Sequence, residues 1–256
     1  MVDAQQALCA GRDPRGSRRD SRYLVCSARS RRAIVRGFAT IGVASFSVFA
    51  DAMITDRERF ERAIALFDAA NGEDPRQDIG PDGKPCPREL LYSRRMTEMV
   101  ERYAPEAPDA VKLAVRAQHI QRWKSPRASY PMDRNGYLQW RTHLYKFHAE
   151  TAGRLMHEAG YDDETIERVK KAIGKRGLKV NPETQLLEDV TALVFIEDYM
   201  LEFVGQKPEY SEEKWLDIIR KTWEKMSAQA HAFALSGKLK LPEPLVPLIT
   251  KAIAGA

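Results

Sequence analysis

The chain has 256 residues, 43% of them apolar and 9% aromatic, with 15 Gly and 14 Pro. That is enough to build one large domain or two small ones, and it excludes collagen-like, low-complexity and disordered polypeptides. No run of eighteen apolar residues marks a membrane span, and Cys9, Cys26 and Cys86 offer neither a disulfide framework nor a spacing that cages zinc.

Charge is unevenly distributed. Residues 1–52 hold nine Arg and no Lys against four acids, whereas the remainder carries 32 basic and 32 acidic residues. The formal net charge of +5 therefore belongs to the leading segment, and it implies no nucleic-acid partner for the body of the chain. The segment 1–52 reads as an unstructured, Arg-rich leader ahead of a domain spanning 53–256. Its apolar stretch 37–50 and the small-x-small pattern Ala50-Asp51-Ala52 resemble a targeting peptide. The alternative is a start codon assigned too early, because some thirty-six residues of Arg-rich sequence are too long for an ordinary signal. With only Cys86 in the body, nothing requires an oxidising compartment, and a cytoplasmic location is expected.

In chain order, Thr55 or Asp56 caps a first helix that stops at Asn71-Gly72. Residues 74–87 read as a loop with a short extended piece. Apolar periodicity then predicts helices at 88–103, 107–123, 135–159, 162–175, 183–204, 211–226 and 243–254. No alternating β-branched run requires a strand, so the fold class is all-α. The helix at 183–204 is apolar along two stripes, Leu186/Val190/Leu193/Glu197 and Asp189/Leu193/Ile196/Met200, and is expected at the centre of the bundle. Any acid it turns inward must be paired, hydrogen-bonded or metal-bound.

Two histidines are placed to carry chemistry. His148 shares a helical face with Leu144, Ala152 and Leu155, and His119 lies one turn from Val115 and one from Trp123. Together with Asp189 they are the minimum set for a divalent or transition metal held between helices. The competing reading is a pair of core histidines bonded to backbone carbonyls. Between Lys112 and His148 eight basic residues face a single acid, Asp133. Arg116, Arg122, Arg127, Arg134 and Arg141, interleaved with Trp123, Tyr130, Tyr137, Trp140 and Tyr145, read as a wall for an anionic small molecule, a nucleotide or RNA. Structural pairing of these arginines with acids elsewhere is the alternative. Dinucleotide-binding, P-loop, nucleophile-elbow and zinc-protease motifs do not occur.

The strings Leu91–Glu98, Arg116–Trp123, Gly136–Leu138, Trp140-Arg141, Phe147–Glu150, Leu187–Glu197 and Arg220–Trp223 resemble a family known as domain of unknown function 4202, over nearly all of the body. The order of elements is also distantly similar to the HD-domain metal-dependent phosphohydrolases. That similarity implies an HD-like bundle with His119, His148 and Asp189 as metal ligands, and Glu150 or Glu197 as the spare carboxylate. Arginines from 116–141 would hold the phosphate while a metal-bound hydroxide attacks it. The pattern is degenerate: Tyr92-Ser93-Arg94 offers no histidine where the first ligand belongs, Ile120 stands where the paired Asp belongs, and Lys175-Arg176 stand near later histidines. The alternative is a non-catalytic anion-, nucleotide- or RNA-binding protein that kept the fold without the metal.

Overall fold

The computed structural model describes residues 56–254, so the expectations for the leader 1–52 and for Thr55 lie outside the described residues. Ten α-helices follow one another among them: α1 (Asp56–Gly72), α2 (Arg88–Tyr103), α3 (Asp109–Ala117), α4 (Arg134–Ala159), α5 (Asp163–Ile173), α6 (Pro182–Val194), α7 (Met200–Gly205), α8 (Glu212–Trp223), α9 (Ala228–Leu235) and α10 (Val246–Ile253). The fold is a single all-α domain, and no helix among the described residues is long and apolar enough to cross a membrane. The loop at 74–87 contains a small antiparallel hairpin, β1 (Gln77–Ile79) with β2 (Pro85–Pro87), in which Asp78 faces Cys86.

Helix starts follow their capping chemistry. Asp133, Asp162, Asn181, Ser211 and Ser227 each accept a backbone N–H from the first turn of α4, α5, α6, α8 and α9. Gly160 ends α4 at φ 94°, a left-handed conformation that glycine adopts without a Cβ penalty. Helix α3 packs against α1, α2, α5 and α6, and every residue in it except Asp109 and Lys112 is buried. A smaller cluster, Tyr137, Trp140 and Leu144, sits on the first half of α4, where the Trp140 indole donates to the Ser125 carbonyl at 2.9 Å.

Two expected helices are interrupted. The one at 107–123 ends at Ala117, because Gln121 adopts φ 52° and its backbone N–H donates to Asn71 Oδ1 at 3.0 Å. The one at 183–204 contains a π-turn at Phe195–Tyr199, where the Met200 N–H reaches back five residues to the Phe195 carbonyl. Beyond that turn the stripe Asp189/Leu193/Ile196/Met200 stays buried into the first residue of α7, while Leu201 is exposed. Helix α9 escapes the periodicity reading because it is short, Ala-rich and without a strong apolar face.

Gly136, in the first turn of α4, is required by close approach rather than by dihedral angle: an added Cβ would lie 2.1 Å from the Pro131 carbonyl oxygen. Gly136→Ala is expected to lower stability by about 1–3 kcal/mol, read from urea unfolding. An unchanged midpoint would show that this turn yields freely.

Candidate functional site

The interrupted ends of α3 and α6 open the middle of the bundle. Beyond Ala117 the chain turns, carrying Gln118, His119 and Arg122 into a cavity of about 70 Å³. Helix α2 adds Tyr92, α4 adds Arg141, Leu144, Tyr145 and His148, and α6 with its π-turn adds Thr191 and Phe195. Ile173 and Lys175 come from the end of α5, Lys175 being held at φ 53° in the left-handed region. A non-glycine residue in that conformation costs on the order of 1 kcal/mol, which the surrounding contacts must offset.

The aromatic floor is tightly connected. Tyr92 donates to Gln118 Oε1 and stacks on His119, ring centroids 4.3 Å apart. The His119 and His148 rings lie 5.9 Å from each other. His148 Nδ1 is 2.8 Å from the Ile120 carbonyl, so it carries the hydrogen, while its Nε2 is buried without a hydrogen-bond partner among the described residues. His119 Nδ1 is likewise unpartnered, 3.7 Å from Glu89 Oε2. Burial, reinforced by the Arg122 charge, holds His119 well below the usual imidazole range and His148 down at about 3. Both rings are neutral at physiological pH.

Among the described residues three cations line the cavity and no carboxylate does. The Arg122 guanidinium sits 4.8 Å from the Trp140 ring centroid, and Arg141 donates to the Tyr137 and Tyr145 hydroxyls. Lys175 donates to Glu188, which is buried, and Lys225 approaches the same carboxylate at 4.0 Å. Burial pushes the Glu188 carboxyl up, but Lys175 and Lys225 outweigh it and hold it below the ordinary value. Burial also lowers Lys225 to about 8. Glu89, beneath His119, is raised by burial against the pull of Arg122 and Arg76.

The expected metal set does not assemble. His119 and His148 share the cavity, but Asp189 lies outside it, receiving hydrogen bonds from Gln185 Nε2, Tyr103 Oη, and the Ser227 backbone and hydroxyl. The cause is helical geometry: Thr191 and Phe195 line the cavity from α6, and Asp189, two residues before Thr191, lies on nearly the opposite side of the helix. Among the described residues no group of three His, Cys, Asp or Glu side chains is placed to hold an ion. The spare carboxylates are elsewhere too. Glu197 is gripped by Arg102 at 2.6 and 3.1 Å and by the Lys240 N–H, and Glu150 is exposed beside Lys170.

Of the expected anion wall, Arg122 and Arg141 face the cavity, with Trp140 and Tyr137 packed behind them. Arg116 is committed to Asp68 at 2.8 and 2.6 Å and to Thr97, and Arg127 clamps the Tyr130 and Asp133 carbonyls. Trp123, Tyr130 and Arg134 do not line the cavity. Sequence reasoning assigns no binding role to Gln118 or Lys175, which line the cavity, nor to Glu188 and Lys225 behind Lys175. The one sequence signal for Lys175 is its place in Gly174-Lys-Arg-Gly177, a tight connection between two helices.

The family model described as Domain of unknown function (DUF4202) matches residues 61–249. The chain belongs to this family. Every residue lining the cavity lies inside the DUF4202 match, and the leader lies outside it. No curated protein and no solved structure matches the chain.

Because folded His148 stays neutral down to about pH 3 while the unfolded side chain protonates near 6.5, acid favours the unfolded state across that window. Stability is present above pH 6.5 and is lost as pH falls, by about 1.4 kcal/mol per unit for this one proton. Asp198 and Glu89, both raised by burial, titrate in the opposite sense. They are common to wild type and His148→Gln, so the difference in slope between pH 5.5 and 4 isolates His148. Parallel pH–stability curves for the two proteins would refute a neutral buried imidazole.

Proposed function

We propose that this protein binds a small phosphorylated molecule in the cavity between α2, α4, α5 and α6, without a resident metal. The observation that carries this reading is the lining itself: Arg122, Arg141 and Lys175 line one cavity together with two histidines that hold ring nitrogens without a partner among the described residues. Guanidinium and ammonium groups in a poorly solvated pocket attract phosphate far more strongly than they would in water. A bundle descended from an HD-like fold is part of the proposal. Tyr92, His119, His148 and Lys175 all stand at or near positions that the resemblance assigns to metal ligands, and all four line the same cavity. Fixed cations then take over the charge-neutralising role that a metal would have.

Hydrolysis through a metal-activated water finds less support, because Asp189, Glu150 and Glu197 are each engaged away from the cavity. An RNA surface is also less favoured, because Tyr137 and Trp140, which would have to stack on bases, are buried against each other. A cytoplasmic setting, where phosphorylated metabolites are at hand, belongs to the same proposal.

Calorimetric titration of the full chain with a panel of phosphorylated metabolites is expected to yield at least one ligand. Its affinity should fall roughly 10- to 100-fold in Arg141→Ala and in Lys175→Ala, corresponding to one lost charge-assisted hydrogen bond each. Equal affinity in wild type and both variants would remove the cavity from the function.

A further inference from the structure

The hydroxyls of Tyr92, Tyr145 and Thr191 and the Gln118 amide can accept a hydrogen bond in the proposed pocket, but one buried acceptor there has no partner among the described residues, and it identifies the anion. Arg122, Arg141 and Lys175 can only donate. His148 is different. A carbonyl oxygen accepts, so the 2.8 Å contact between Nδ1 and the Ile120 carbonyl fixes the hydrogen on Nδ1. Nε2 is then a bare lone pair, in a side chain 2% exposed, with no hydrogen-bond partner among the described residues. A buried acceptor left unsatisfied is costly, and it repels any ligand atom that presents only lone pairs. The ring cannot escape by protonating, since burial and the neighbouring Arg122 both oppose a second positive charge there.

Size points the same way. A cavity of about 70 Å³ has room for several water-sized groups, enough to admit a tetrahedral oxyanion.

We propose, resting on the anion-pocket reading above, that the group bound here is a phosphate carrying a proton of its own, with its P–OH donating to His148 Nε2 while Arg122, Arg141 and Lys175 bind the charged oxygens. The site is therefore selective for phosphate over sulfate and over carboxylate, which near neutral pH have the charge but no hydrogen to give. His119, whose Nδ1 lies beside Glu89, has no partner among the described residues that fixes its tautomer. The discrimination therefore belongs to His148.

The test is calorimetric titration of the full chain with inorganic phosphate and with sulfate, at pH 7 and matched ionic strength. Phosphate should bind at least ten-fold more tightly than sulfate. In His148→Phe, which removes the acceptor and keeps a planar ring, the two anions should bind within about two-fold of each other. Histidine ¹⁵N spectra of the native chain read the same contact without a substitution: the His148 Nε2 resonance should move on adding phosphate and stay in place on adding sulfate. Equal affinity of wild type for the two anions, an undiminished preference in folded His148→Phe, or an Nε2 resonance indifferent to phosphate would each overturn the proton-donor requirement while leaving an anion pocket standing. Binding of neither anion would overturn both readings.

Discussion

Glu188 is a carboxylate with almost no access to water at the middle of a helical bundle, and a fold can carry such a group only by bringing cations to it. Lys175 comes from the turn after α5 and Lys225 from beyond α8, and Arg141 on α4 adds to their field. Those demands explain features that are otherwise costly. Lys175 holds a left-handed backbone to reach the acid, and Lys225 is buried enough to weaken its own charged state. Having collected the cations, the bundle has more positive than negative charge around the cavity wall. An anionic ligand would complete the balance.

The same economy of pairing explains which charged groups stay out of the site. Asp189, one residue along α6, is equally buried, but its four hydrogen bonds tie α6 to Tyr103 on α2 and to the start of α9. Glu197 on the π-turn joins Arg102 to the backbone at Lys240. Arg116 locks α3 to α1 through Asp68. Each of these resembles a site residue in the sequence because buried charge is rare, and each is structural because its partners satisfy it fully.

How far the sequence can be read is set by these contacts. Helices α2 and α4 are legible to within a residue, because their apolar positions repeat at helical spacing and their ends carry clear signals. The inward ring of His148 is legible from Leu144, Ala152 and Leu155 on its face. The choice between Glu188 and Asp189 is not. A central helix is buried on more than one side, so periodicity shows that an acid points inward without showing which neighbour it meets. Nor is the left-handed turn at Gln121 legible, held as it is by Asn71 rather than by Gly or Pro, or the π-turn at Phe195–Tyr199, which no residue type announces. The histidine pair is thus visible in the sequence, and the cations that give it meaning are visible only in part.

A crystal structure of the full chain grown with inorganic phosphate tests the central claim most directly. The account predicts tetrahedral density in the cavity, bounded by Arg122, Arg141 and Lys175, with one oxygen within hydrogen-bonding distance of His148 Nε2. A cavity holding only water at saturating phosphate, with Lys175 turned away from Glu188 into solvent, would contradict it.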